Sequence, residues 1–204
     1  LKILQINSVC GIRSTGRICT DIADILEKQG HECKIAYGRE TVPERYRKYA
    51  VRIGNDLDVK LHALQSRIFD NSGLGSKRAT EKFIRWIESY NPDIIHLHNI
   101  HGYYISIDRL FNYLKESEKP VIWTLHDCWS FTGHCSYFDY VGCDKWKSEC
   151  ERCPQKKEYP SSLFLDNSKA NFLRKKKTFT GIENMTIVTP SKWLANLVIQ
   201  SYLN

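Results

Sequence analysis

KILQINSVCGIRSTGRICTDIADILEKQGHECKIAY, residues 2–37, is the stretch that decides the fold. Ile3 to Val9 is an apolar run of strand length. From Gly16 the apolar residues Ile18, Ile22, Ile25 and Leu26 recur on one helical face that stops at Gly30, and His31 to Tyr37 reads as a second strand. Strand, glycine loop, helix and strand form a βαβ unit, which is right-handed because a parallel crossover packs back onto its sheet with that hand.

The same rhythm continues along the chain. A polar, arginine-rich span, Gly38 to Tyr49, leads to a third strand at Ala50 to Ile53, and Asp58 to Phe69 and Ser76 to Tyr90 have helical spacing. The second of these helices is predicted to bury Ala79, Phe83, Ile84 and Ile87. Asn91-Pro92-Asp93 breaks it and launches the strand Ile94 to His98, because the residue before proline is pushed out of the helical region. A helix over Ile107 to Leu114 follows, then the β-branched run Val121 to Leu125, the strand Thr186 to Thr189 and a helix over Lys192 to Leu203 with Ser191 as its N-cap. The fold class is therefore α/β: a Rossmann-like, open, mostly parallel sheet with helices on both faces, read as one domain over residues 1–204. Cys128 to Pro160 breaks the rhythm. It is rich in Cys, Gly, Lys and aromatics, has no clean period, and reads as a Cys-rich insertion.

Composition narrows the classes. At 204 residues and 42% hydrophobic the chain can bury a real core, which argues against disorder. No apolar run approaches the roughly 20 residues of a membrane helix, and LKILQINSV is too short and too soon polar for a signal peptide, so a cytoplasmic protein is expected. A net charge of +7 permits anionic partners and selects none of them.

Ligands of doubly wound sheets bind beyond the carboxyl ends of the strands, where three suggestive stretches fall. GIRSTGRI, residues 11–18, nearly spells a phosphate-binding P-loop, but Arg17 and Ile18 stand where that motif needs Lys and then Ser or Thr. The dinucleotide fingerprint is also missed, because no third glycine follows at the required spacing. What remains is a pair of flexible positions, Gly11 and Gly16, with Thr15 between them and Arg17 able to add a charged fork to an anion. His96, His98 and His101 spell H-x-H-x-x-H, but no carboxylate lies nearby to complete a familiar metal site. Packed or hydrogen-bonded histidine is the better reading of the first two, and His101 with Gly102, past the strand end, is better placed for substrate. His126-Asp127 closes the strand VIWTL. Imidazole titrates near neutrality and a carboxylate can hold its tautomer, so the pair suits a general base or an oriented donor, although the same dipeptide is common in purely structural roles.

The strongest local signal is Cys135, Cys143, Cys150 and Cys153, spaced C-x7-C-x6-C-x2-C. In a cytoplasmic setting such clustering favours structural zinc, with two disulfides or free thiols as the alternatives; Cys128 and His134 are further candidate ligands. Cys10, Cys19 and Cys33 read as buried small residues of the βαβ unit. Phe172, Leu173 and Phe179 around Arg174-Lys175-Lys176-Lys177 make a basic segment with an apolar face, read as a solvated helix ahead of a membrane-surface contact.

Taken together, KILQINSVCGIRSTGRI, GHECKIAYGR, NPDIIHLHNIHGYYI, VIWTLHDCWSFTGHCSYFDYVGC, CPQKKEYP and TIVTPSKWLANLV give the chain a resemblance, over nearly all of its length, to the N-terminal half of a GT-B glycosyltransferase of the retaining family 4. The resemblance implies transfer from a nucleotide sugar, without a catalytic metal, to a glycan or lipid-linked acceptor in bacterial surface polysaccharide synthesis. It implies that the loop carrying Gly11, Thr15, Gly16 and Arg17 approaches donor phosphates or acceptor, and that His126 lines a reaction centre between two Rossmann domains. The second of those domains, with its basic diphosphate residues and E-x7-E stretch, is expected beyond Asn204, so residues 1–204 alone are expected to be inactive. A cytoplasmic location, peripheral at the inner membrane face, fits such an acceptor. The competing class is a zinc-knuckle module that binds nucleic acid through Trp129, Tyr137, Phe138, Tyr140 and Trp146. It is disfavoured because stacking platforms need exposed aromatics beside a basic groove, and most other aromatics fall on predicted buried faces.

Overall fold

The computed structural model describes residues 1–204. Strand β1 (Lys2–Ile6) leads into helix α1 (Arg13–Lys28) and then β2 (Glu32–Tyr37), which lies parallel to β1 with Ile3 opposite Cys33. β3 (Ala50–Arg52), α2 (Asp56–Phe69), α3 (Lys77–Tyr90), β4 (Ile94–Leu97), α4 (Ile107–Ser117) and β5 (Val121–Thr124) follow. After the long segment 125–167 come α5 (Ser168–Phe179), β6 (Met185–Val188) and α6 (Lys192–Ile199). The six strands pair in the order β3-β2-β1-β4-β5-β6, every pair parallel, so the sheet is wholly parallel where a mostly parallel one was expected. The order reverses between β1 and β4. Switch points of this kind lie where the connections of two neighbouring strands leave in opposite directions, and ligands of such sheets bind outside the carboxyl ends there.

One expectation about the first unit fails. Ile18 and Ile25 face solvent, 39% and 55% exposed, whereas α1 buries Gly16, Cys19, Thr20 and Ala23. Small side chains let the helix axis approach the sheet until Gln5 Nε2, in β1, donates to the Cys19 carbonyl at 2.8 Å. Gly16 lies inside α1 rather than ahead of it. A Cβ there would sit 3.1 Å from Val9 Cγ2 and 3.2 Å from the Gly11 nitrogen. Cys10, Cys19 and Cys33 are buried in this layer, as their setting suggested. α3 buries Ala79, Thr80, Phe83 and Ile87, while Ile84 is only half-buried.

The segment 128–160 contains only short 3-10 turns, at Trp129–Phe131, Asp139–Val141 and Lys145–Lys147. It holds its shape by burying Trp129, Phe131, Phe138 and Trp146 in the main core, with Phe138 and Trp146 stacked at 4.9 Å between ring centroids. α5 closes over it. Phe172, Lys175 and Phe179 are buried, so two of the three apolar residues of the basic segment belong to the interior, while Leu173 is exposed.

Candidate functional site

The loops after β1, β4 and β5 meet at the switch point. Asn7, one residue past β1, donates to the Val9 carbonyl (2.8 Å) and to Thr15 Oγ1 (3.2 Å), while its Oδ1 accepts from the Asn99 amide beyond β4 (3.2 Å). Gly102 has φ +108°, a region L side chains avoid, and a Cβ there would lie 3.5 Å from Ser8 and 3.4 Å from an Arg39 guanidinium nitrogen. Arg39 therefore borders this rim, a residue that no motif in the sequence singled out.

Two histidine systems occupy the rim. In the first, His101 Nε2 donates to Asp127 Oδ2 at 2.8 Å, and Tyr159 Oη lies 3.1 Å from His101 Nδ1, where it donates when the imidazole is neutral. Asp127 also accepts from the Trp129 amide at 2.9 Å. Burial alone would raise the Asp127 pKa. The His101 charge and hydrogen bond and the Trp129 amide outweigh burial and hold it below the ordinary aspartate value. Asp127 thus grips His101 across 26 positions and not its sequence neighbour His126, which corrects the expected pairing within the dipeptide.

The second system orients His126. Gln5 commits its Nε2 to the Cys19 carbonyl, which leaves Oε1 to face His98 Nε2 at 3.1 Å. An amide oxygen only accepts, so His98 carries its proton on Nε2 and presents an Nδ1 lone pair. His126 Nε2 lies 3.2 Å from that lone pair and must donate to it. The proton of His126 is therefore fixed on Nε2, and its Nδ1 is left as an acceptor. Burial, with the charges of His96 and His126, pushes the His98 pKa down to about 2, so it stays neutral and the chain of donors keeps its direction. Burial also lowers His126, with Asp127 opposing and His101 reinforcing the shift. His96 packs against His98 with the rings tilted by 33° and their centroids 4.1 Å apart, and shares a 2.8 Å hydrogen bond with Thr124. His96 and His98 are thus packed, hydrogen-bonded histidines, and His98 is in addition the orienter of His126.

The glycine loop departs from its expectation. Gly11 (φ +72°) donates its amide to the Gly16 carbonyl at 3.0 Å, and Gly16 is buried beneath the loop, so both shape the turn and neither offers an amide to a ligand. Arg13 pairs with Glu40 at 2.7 Å, and Arg17 is exposed one turn later. The α1 N-terminus itself has no side-chain cap and no acidic residue in its first turn, so no side chain of that turn offsets its partial positive charge. A hollow of about 410 Å³ among Leu1, Lys2, Gly30, Glu32, Asn91 and Asp93 lies at the opposite, amino end of the strands and gathers no histidines.

All eight cysteines are free thiols, so the disulfide alternative is absent from the structure. Cys135 is buried and Cys143, Cys150 and Cys153 are half-buried against the core. No three His, Cys, Asp or Glu side chains stand in a metal-holding arrangement, and the segment packs its aromatic residues into the main core. Of the aromatics considered for base stacking, Trp129, Phe138 and Trp146 are buried and only Tyr137 and Tyr140 are exposed, which removes most of the platform a nucleic-acid module would need.

Residues 15–202 match the family model described as Glycosyltransferase Family 4. The chain belongs to glycosyltransferase family 4. The putative colanic acid biosynthesis glycosyl transferase WcaC of Escherichia coli (strain K12) is 25% identical over 170 residues, covering 78% of this family 4 chain and 41% of that protein. Among solved structures, the glycosyltransferase VinC in complex with dTDP is similar over 98% of this chain and 43% of its own, with 15% identity and a TM-score of 0.38. This family 4 chain spans about two fifths of the length of these relatives.

Asp127 offers a stability test that is independent of activity. A folded-state pKa held below the ordinary 3.8 contributes stability that is present above 3.8 and lost as pH falls through the folded value. Asp127→Asn is expected to cost about 3 kcal/mol at neutral pH, as loss of one partner of a buried pair does, and to flatten the acid limb of stability measured by urea unfolding. An acid limb as steep as the wild type's would remove Asp127 as its source.

Proposed function

We propose that this chain is the acceptor-side Rossmann domain of a retaining sugar transferase, which moves a sugar from a nucleotide-sugar donor to a glycan or lipid-linked acceptor in surface polysaccharide synthesis, alongside a second Rossmann domain of the same protein. The family membership, the name of the WcaC relative and the greater length of the relatives support this reading. The observation that carries it is the Gln5–His98–His126 relay at the switch point, which presents one oriented imidazole acceptor beyond the strand ends.

The protonation of that imidazole selects its ligand. A neutral His126 with a lone pair on Nδ1 accepts from a hydroxyl and has nothing to offer a phosphate oxygen, so its partner is a sugar hydroxyl and not the donor diphosphate. The leaving diphosphate gathers negative charge as the sugar–phosphate bond breaks. The uncapped α1 N-terminus lies on this side of the crevice to meet it, with fixed positive charge from the second domain completing the site. The departing phosphate takes the acceptor's proton, so the protein needs no strong base and His126 positions the sugar. Gly102, without a side chain, and Arg39 beside it border the acceptor side.

The test is to incubate the full-length protein with nucleotide sugars and lipid-linked acceptors. The expected result is one nucleoside diphosphate released for each sugar found on acceptor. Magnesium-dependent hydrolysis of nucleoside triphosphate in place of transfer would overturn the reading.

Structural zinc at Cys135, Cys143, Cys150 and Cys153 stands as a separate proposal. It is supported by their clustering in the sequence and by the packing of Cys143, Cys150 and Cys153 against the core that buries Cys135. Elemental analysis is expected to find one zinc per chain, with the insertion thiols reacting only after chelation. Freely titrating thiols and no zinc would leave the cysteines as packing residues.

A further inference from the structure

The segment 128–160 sorts its aromatic residues into two groups. Trp129, Phe131, Phe138 and Trp146 are buried in the main core, whereas Tyr137, Tyr140 and Tyr159 stand 53%, 70% and 43% exposed. Packing accounts for the first group. It does not account for the second, whose large side chains are held partly in solvent.

Their hydroxyls tell the three apart. Tyr159 Oη lies 3.1 Å from His101 Nδ1, in the first histidine system, and the Tyr159 ring meets the His101 and Tyr103 rings edge to face, with centroids 5.8 and 6.2 Å away. Tyr137 Oη donates to the His126 carbonyl at 3.5 Å, the long limit of such a bond, and so reaches the residue that the second system orients. Tyr140 instead donates to Gln155 Oε1 at 3.2 Å, within the segment itself. A backbone bond joins the two tyrosines of the site, because the Ser136 amide, next to Tyr137, donates to the Tyr159 carbonyl at 3.4 Å. The segment thus brings one open tyrosine to each histidine system.

Tyrosines in this setting suit one kind of ligand. A tyrosine has two side-chain torsions, and a ring tethered at its hydroxyl gives up little further freedom when a ligand covers it. The face of the ring carries the negative part of its quadrupole, which attracts polarised C–H bonds. A pyranose offers a face of axial C–H bonds edged by hydroxyls, and His126 Nδ1 accepts from a hydroxyl. A phosphate or carboxylate gains nothing from a π face.

We propose that Tyr137 and Tyr159 form an aromatic platform on which a pyranose ring of the acceptor stacks, which makes the Cys-rich segment the acceptor-specificity element of this domain. That the sugar is the acceptor rests on the transferase reading; that a pyranose binds at these rings does not.

Saturation-transfer NMR on the full-length protein, with no donor present, tests the platform with methyl β-D-glucopyranoside and methyl β-D-galactopyranoside as probes. Irradiating the aromatic protons of the protein is expected to saturate the ring C–H protons of both probes, while D-glucitol, which has hydroxyls and no ring face, receives far less. Tyr137→Leu and Tyr159→Leu keep an apolar side chain without the π face, and each is expected to weaken binding about tenfold with melting unchanged, whereas Tyr137→Phe retains it. Tyr140→Leu, on the same segment, is expected to leave binding as it is. The Tyr137 variant stands even if the Tyr159 variant, which also frees His101, fails to fold. In turnover, Tyr137→Leu is expected to raise KM for acceptor about tenfold with kcat little changed, as loss of uniform binding does. No saturation of either pyranoside by the wild type, equal binding of glucitol or of a pyrimidine nucleotide, full binding by Tyr137→Leu, loss through Tyr140→Leu, or a rise in donor KM in place of acceptor KM would each overturn the proposal. Pyranoside binding with no transfer at all would overturn the transferase reading and leave the platform in place.

Discussion

His126→Ala in the full-length enzyme is expected to lower kcat about a hundredfold or more and to leave the fold intact. The magnitude follows from what the imidazole does. His126 is half-buried at the strand end, its Nε2 proton is committed to His98, and its Nδ1 is left with a lone pair to accept a hydrogen bond. On the proposed reading, its removal costs the transferring sugar one oriented hydrogen bond and opens a space that water fills, so hydrolysis of the donor is expected to rise relative to transfer. The structural cost is small. His98 loses one partner at Nδ1, which water can replace, and it keeps Gln5 at Nε2. Transfer rate and thermal melting, measured on the same preparation, check the result. Turnover equal to the wild type's would remove His126 from the site, and a parallel fall in stability would make it a packing residue.

The parts of this arrangement differ in how far sequence exposes them. Parallel strands and crossover helices are legible because burial on both faces leaves continuous apolar runs such as Val121 to Leu125, bounded by turn residues, and the architecture followed from those runs alone. Hydrophobicity alone does not mark the buried face of α1. A helix pressed onto a sheet selects for small size, so Gly16, Cys19 and Ala23 turn inward and Ile18 and Ile25 outward. α2 carries the same lesson, since its inward face includes His62, which accepts hydrogen bonds from the Gly73 and Gly75 amides. The site was half visible. His101, Gly102, His126 and Asp127 sit at strand ends where ligands bind, but which carboxylate orients which imidazole depends on register between strands. Gln5 and His98 are 93 positions apart and meet only because β1 lies beside β4. The one available signal was a polar residue at the centre of the buried strand KILQI, since a glutamine with no solvent exposure needs partners for both its amide groups.

Gln5→Leu turns that signal into an experiment on the relay. Leucine fills the volume and forms no hydrogen bond, so the His98 Nε2 proton loses its acceptor and the Cys19 carbonyl loses its donor, a cost of roughly 1–3 kcal/mol for the groups left unpaired. His98 then gains by moving its proton to Nδ1, where it can donate to His126. That reverses the direction of the relay: His126 Nε2 becomes the acceptor and its proton moves to Nδ1, where the lone pair had been. The imidazole stays in place with its polarity inverted, so a sugar hydroxyl no longer finds a lone pair. kcat is expected to fall about a hundredfold while KM for the acceptor changes little, a split that simple loosening of the core does not produce. Gln5→Glu separates the two causes. Its carboxylate still accepts from His98 Nε2 and preserves the tautomer, although it cannot donate to Cys19, so it is expected to recover most of kcat at a similar cost in stability. Equal losses of kcat in both variants would assign Gln5 to packing and leave His126 oriented by something other than β1.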